Sequence, residues 1–79
     1  MSLAQIVCRN LRSVRMQQKL SQEALAHKAR LSVSYISMLE RGARVPPLET
    51  LEALAKALDV SPLYLCQELS DTRPRRSRA

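Results

Sequence analysis

The stretch SVSYISMLERG, residues 32–42, carries three serines and ends in the only glycine of the chain. Ile36 and Leu39 stand three positions apart, so a helix places both on one face and turns Ser34 and Ser37 toward the other. The stretch therefore predicts a short helix with an apolar inner face and an outer face of small hydroxyl groups.

The flanking residues indicate where this helix and the one before it begin and end. Ser32 is a favourable N-cap, and Gly42 is the residue type that most readily takes the positive φ at a helix C-terminus. Ser21 predicts a second N-cap before the helix QEALAHKA, residues 22–29, and Glu23 favours the positive end of that helix dipole. The short linker RLS joins the two helices.

Further helices are predicted from apolar spacing and from capping residues. Leu51, Leu54 and Leu58 form one apolar stripe at helical spacing. Ser61 followed by Pro62 is a typical start of another helix, because proline is well tolerated in the first helical position. These additional helices are predicted at residues 3–18, 47–58 and 62–69.

Composition favours a single small helical domain. The chain has 79 residues, of which 46% are hydrophobic, with no Trp, no Phe and one glycine. An aliphatic core of this kind suits packed helices better than a β-sandwich, so we predict an all-α, compact five-helix domain over residues 1–70. The remaining residues, 71–79, form a basic tail that we expect to be disordered.

Charge and cysteine usage narrow the function. The net charge of +6 suggests a polyanionic partner, with nucleic acid ahead of a membrane surface. No apolar run approaches the roughly 20 residues that span a bilayer, and LAQIVC is too short for a signal peptide. Cys8 and Cys66 lack metal-ligand spacing, so we expect reduced, packing cysteines in a cytoplasmic protein, with no metal and no cofactor. Because His27 is alone on a polar helix face, we do not expect an enzyme.

Two short helices joined by a tight linker, the second with a small polar outer face, are typical of a helix-turn-helix. A helix that enters the major groove must bring its backbone close to the base edges, and long side chains would hold it away. Small hydroxyl groups permit this approach and still form hydrogen bonds. We therefore predict that the serine-rich helix contacts double-stranded DNA.

Most of the chain, residues 7–65, resembles the Xre-type, lambda-repressor-like helix-turn-helix domain. The resemblance rests on Arg15, on LSQEALA in the second helix, on YISMLERG in the third and on the closing LEALAKALDVSPLYL. It implies a partly buried structural ion pair between Arg15 and Glu40. It also implies a DNA-binding surface made of Gln22, Ser32, Val33, Ser34, Tyr35, Ser37, Met38, Arg41 and Arg44.

Two features depart from the usual pattern of this family. Members usually have glycine at the positions of Lys19 and Arg30, where a positive φ costs another residue on the order of 1 kcal/mol. Base readout is also limited, because serine, valine and methionine cannot form bidentate contacts with bases, and Arg44 is the one nearby residue that can. We therefore expect specificity to rest heavily on the shape and deformability of the DNA.

A single recognition helix offers a small interface, so we expect a homodimer on an inverted-repeat operator, with half-sites roughly 34–36 Å apart. The surface predicted for dimerisation consists of Leu48, Leu63, Tyr64 and Leu69.

Two functions remain open at this stage. The first is a homodimeric, sequence-specific transcriptional regulator that resembles restriction-modification controllers and Cro-like repressors. Such a regulator is expected in the cytoplasm, associated with the nucleoid through its DNA binding. The second is an antitoxin-like protein-interaction module, with a protein partner and only secondary DNA binding. The basic tail argues mildly against an acidic partner-mimic but not against a toxin as the partner.

Overall fold

The computed structural model describes residues 1–69, and these residues form helices without any β-strand. The predicted all-α class is therefore confirmed for this part of the chain. Four α-helices are present, α1 (Leu3–Gln17), α2 (Gln22–Ala29), α3 (Val33–Glu40) and α4 (Leu48–Ala57), followed by a short 3₁₀ helix, Tyr64–Cys66.

Serine hydroxyls cap the start of three α-helices. Ser2 Oγ accepts a hydrogen bond from the backbone N–H of Gln5 at 3.2 Å, which caps α1. Ser21 and Ser32 cap α2 and α3 in the same way, each through the N–H three residues further on. The two N-caps predicted from the sequence are thus confirmed, and each satisfies a backbone donor that the helix itself leaves unpaired.

All four α-helices end with the same backbone turn, although only one of them uses glycine for it. Lys19, Arg30, Gly42 and Asp59 have φ angles of 60°, 60°, 79° and 58°. After each of them the next residue donates its N–H to a carbonyl five positions earlier, as from Ala43 to Met38 at 2.9 Å. Lys19 and Arg30, where family members usually have glycine, thus have the positive φ that the resemblance implies.

The core lies between α1 and the other helices and is almost entirely aliphatic. α2 packs against α3 and α4, and α1 packs against α3 and the 3₁₀ helix. The largest fully buried side chains are Leu11, Leu25, Ile36, Leu39, Leu54, Leu58 and Leu65. This packing fixes the angle between α2 and α3, and it leaves the face of α3 opposite Ile36 and Leu39 outside the core.

The predicted fifth helix at residues 62–69 is wrong. Ser61 Oγ does accept the N–H of Tyr64 at 3.1 Å, but the chain then makes only a 3₁₀ turn and is extended at Gln67. Asn10 on α1, which is 2% exposed, stabilises this non-helical conformation by donating to the carbonyls of Leu65 and Gln67 at 2.8 and 2.6 Å. A continuing helix would direct these carbonyls to its own N–H groups.

The predicted basic tail, residues 71–79, lies outside the described residues, and so does the end of the predicted domain at residue 70. Within residues 1–69 no helix is long and apolar enough to cross a membrane.

Candidate nucleic-acid interface

A buried network of polar side chains fixes α3 against α1 and α2. Arg15 donates from Nε and Nη2 to the two carboxylate oxygens of Glu40, at 2.7 and 3.0 Å. Gln22, the first residue of α2, donates from Nε2 to Glu40 Oε1 at 3.0 Å. The side chain of Glu40 is only 4% exposed. Because the two hydrogen bonds from Arg15 are parallel, the charged pair also fixes the relative orientation of the two side chains. The network therefore sets the position of α3 relative to both neighbouring helices.

The outer face of α3 carries small side chains at its exposed positions. Ser34 is exposed and Ser37 is half-buried, on the side opposite Ile36 and Leu39. Val33 is exposed at the first turn. A backbone surrounded by such small groups can approach another macromolecule closely.

Three of the predicted contact residues are partly occupied in holding the fold together. Ser32 Oγ accepts the N–H of Tyr35 at 3.0 Å, so its oxygen serves the cap while its hydroxyl hydrogen stays able to donate. Tyr35 is half-buried and packs against the core, and Met38 is also half-buried. Met38 stands one turn after Ser34, on the same outer face.

The segment after α3 presents two arginines. Arg41 and Arg44 are exposed, and Arg41 donates from Nε to the carbonyl of Ser37 at 3.3 Å. The backbone between them turns at Gly42, where no atom lies within 4 Å of the position that a Cβ would take. The turn brings both cations to the C-terminal end of α3.

The same segment touches α1 through a cysteine. Cys8 is buried, and its Sγ donates to the carbonyl of Arg44 at 3.8 Å. Burial raises the pKa of the Cys8 thiol, and a hydrogen bond with the backbone of Cys8 itself partly offsets that rise. The thiol therefore stays protonated at neutral pH, as a donor must be.

The residues predicted for dimerisation do not form one equivalent set. Leu48 and Leu63 are highly exposed, at 79% and 74%, and Tyr64 is exposed at 37%. Leu69, by contrast, is half-buried and packs against the core. Val45, which the sequence did not single out, adds a further exposed apolar side chain just before α4.

Sequence reasoning also missed Asn10, whose position could have revealed it. Asn10 falls between Val7 and Val14 on the apolar stripe of α1, beside Leu11. A polar residue inside such a stripe indicates a buried hydrogen bond, since an unsatisfied amide would be costly there. Across residues 1–69 no three His, Cys, Asp or Glu side chains are grouped so that they could hold a metal ion.

Comparison with known proteins agrees with this geometry. The helix-turn-helix family model matches residues 11–65. The immunity repressor protein of Bacillus phage phi105 is 44% identical over 54 residues, which are 68% of this chain but only 38% of that protein. The chain thus spans less than half of the length of this relative. Control protein C.SmaI of Serratia marcescens is 44% identical over 61 residues, 77% of this chain and 73% of that protein.

A solved structure is similar over nearly its whole length. The restriction-modification controller protein C.AhdI from Aeromonas hydrophila superposes with a TM-score of 0.74 at 40% sequence identity, covering 80% of this chain and 94% of that one. The residues that the family model matches, 11–65, include both short helices and the linker between them. The chain therefore belongs to the Xre-type helix-turn-helix family.

Proposed function

We propose that this protein is a transcriptional regulator that binds double-stranded DNA with α3 in the major groove. The strongest support comes from the exposed surface of α3 and the segment that follows it. The outer face of α3 has only small side chains at its exposed positions, and two exposed arginines stand at its end. This combination permits close approach to base edges and supplies charge for the flanking phosphates.

Each predicted contact residue takes a role that its surroundings support. Ser32, Val33 and Ser34 face the groove at the start of α3. Ser37 and Met38 lie further along the same face, and Tyr35 meets the sugar-phosphate backbone. Arg41 and Arg44 bind phosphates. Gln22 holds Glu40 and has a second amide hydrogen left for a phosphate. The full proposed surface is Gln22, Ser32, Val33, Ser34, Tyr35, Ser37, Met38, Arg41 and Arg44.

Few of these side chains discriminate between bases by themselves. Serine forms single hydrogen bonds with several base edges, whereas Val33 favours a thymine methyl group. Specificity then depends on how easily the operator takes the shape that α3 requires, including at base pairs that the protein does not touch.

We further propose that two copies bind together on an inverted repeat. Leu48, Leu63 and Tyr64 supply exposed apolar area, which a second copy would cover. A symmetric pair doubles the number of DNA contacts and fixes the spacing of the half-sites.

A charge-reversal experiment tests the DNA-binding role. Ser34 lies in the first turn of α3, where an acidic side chain is favourable for the helix itself. Ser34→Asp should therefore leave the fold intact while it repels phosphate, and we expect its DNA affinity to fall at least tenfold.

The matched control is Gln17→Glu, which also adds one negative charge but lies at the exposed end of α1, next to Gln18, whose side chain donates to the Leu58 carbonyl just after α4. Because an acidic side chain is mildly unfavourable at a helix C-terminus, urea unfolding checks that both variants keep the fold. Fluorescence anisotropy with a labelled duplex measures both variants. Equal binding by Ser34→Asp and Gln17→Glu would remove α3 from the interface.

The second candidate is an interaction module with a protein partner, as in antitoxins. The exposed side chains of Val45, Leu48 and Leu63 favour it, since the same apolar area suits a foreign protein as well as a second copy. The two candidates differ in what they need to bind DNA. The homodimeric regulator binds DNA when purified alone, whereas the interaction module binds it tightly only when its protein partner is present.

A further inference from the structure

A groove runs between α1 and the C-terminal end of α3, and its walls are rich in arginine. Arg9, Arg12 and Met16 line it from α1, and Arg41 and Gly42 line it from the end of α3. None of the roles proposed above uses the α1 side of this groove.

The residues that line the groove within residues 1–69 leave one of its arginines, Arg12, without a charged partner. Among the described residues that line it, the one carboxylate is Glu40, which is 4% exposed and already accepts hydrogen bonds from Arg15 and Gln22. Arg12 is exposed, and it has no hydrogen-bond or ionic partner within residues 1–69. A guanidinium left in this state is available to an anion from outside.

The groove is continuous with the surface proposed for DNA binding. Arg41 belongs to both, because it lines the groove and stands at the end of the outer face of α3. Cys8, which also lines the groove, contacts the backbone of Arg44 at 3.8 Å. The middle of α1 therefore lies directly beside the segment that carries the two proposed phosphate-binding arginines.

We propose that this groove binds an additional DNA backbone phosphate, and that Arg12 is the residue that contacts it. The inference rests on the proposed function and extends the interface from α3 and the following turn onto α1. DNA supplies regularly spaced phosphates along the path that leads away from Arg41, and the planar guanidinium of Arg12 suits a phosphate oxygen pair.

The test compares the salt dependence of DNA binding among four proteins. These are the wild-type chain, Arg12→Gln, Arg12→Lys and the control Lys56→Gln, which removes one exposed positive charge from α4. Anisotropy with a mixed-sequence duplex between about 50 and 200 mM salt gives the slope of log K against log salt, which changes by about 0.9 per phosphate contact on duplex DNA.

We expect Arg12→Gln to reduce the slope by about 0.9, and Arg12→Lys to keep most of it because the charge remains. Lys56→Gln should have the same slope as the wild-type chain. Ethylation interference supplies a second readout, in which Arg12→Gln loses sensitivity at one phosphate that the wild-type chain requires. Urea unfolding of each variant checks that the fold is retained.

Two results would overturn the inference while the proposed function stands. One is an unchanged slope for Arg12→Gln, in which case the groove serves another anion, such as an acidic protein segment. The other is an equal reduction for Lys56→Gln, which would reflect overall charge instead of a contact. If the wild-type chain shows no salt-dependent binding to any duplex, the proposed function itself fails, and the inference fails with it.

Discussion

Arg15 and Glu40 connect the first helix to the third through two hydrogen bonds of 2.7 and 3.0 Å. Arg15 also donates from Nη1 to the carbonyl of Leu20 at 2.7 Å, so it joins the end of α1 to the start of the helix-turn-helix. One guanidinium thus holds three segments in register. The orientation of α3, on which the proposed DNA contact depends, is set 25 residues away in sequence.

Breaking this pair from one side should be more harmful than removing it altogether. Arg15→Met leaves the buried carboxylate of Glu40 without its charged partner, and we expect the free energy of unfolding to fall by about 3 kcal/mol. The double variant Arg15→Met/Glu40→Met should lose less than Arg15→Met alone, because no unpaired charge stays buried. Urea unfolding at pH 7 measures the series, and additive losses would contradict the pairing.

Glycine should stabilise one helix end and destabilise the helix that precedes it. Arg30 has a φ of 60°, so Arg30→Gly relieves strain and should raise the free energy of unfolding by up to about 1 kcal/mol. Lys28→Gly, two residues earlier and inside α2, should lower it by about 1 kcal/mol. Thermal or urea unfolding compares the two exposed positions. A loss in both variants would show that the left-handed turn carries no strain.

The helix ends are the part of the fold that the sequence predicts well, because capping is local. Ser21, Ser32 and Gly42 act within three or four residues of themselves, so a short stretch of sequence is enough to locate the turns. The region after Ser61 is different. It begins with a good helix start, yet its conformation depends on Asn10, more than 50 residues earlier. No local pattern contains that information.

Removing the amide of Asn10 should therefore loosen the C-terminal part of the core. Asn10→Leu keeps a similar volume but leaves the carbonyls of Leu65 and Gln67 without a donor, at a cost of about 2 kcal/mol in the free energy of unfolding. Hydrogen exchange should accelerate at the amides of residues 64–67 more than in α2 and α3. Uniform acceleration would show that Asn10 acts on overall stability only.

The candidate interface also has one part that local sequence predicts and another that depends on distant contacts. The outer face of α3 follows from helical periodicity, and the exposed Ser34 lies where the sequence places it. Helical periodicity could not predict which dimerisation residues are exposed, because the chain near Leu63 and Leu69 forms a 3₁₀ turn and an extended segment instead of the predicted helix. Leu63 remains exposed whereas Leu69 packs against the core.

This difference makes the dimer proposal testable with a built-in comparison. Leu63→Glu and Leu48→Glu alter highly exposed side chains, so each should give a folded monomer in sedimentation equilibrium and bind DNA more weakly. Leu69→Glu should instead lower the stability of the monomer, because its side chain packs against the core. A dimer that survives both surface changes would place the interface elsewhere on the chain.

A binding selection from randomised duplex DNA measures whether α3 recognises a base sequence. The purified chain is used at near-physiological salt, because both affinity and specificity for DNA depend strongly on the salt concentration. We expect enrichment of an inverted repeat whose half-site centres lie roughly 34–36 Å apart, with preferences at base pairs that the protein does not contact. If no sequence is enriched and binding only fades as salt rises, α3 does not read DNA, and the helix-turn-helix serves a protein partner instead.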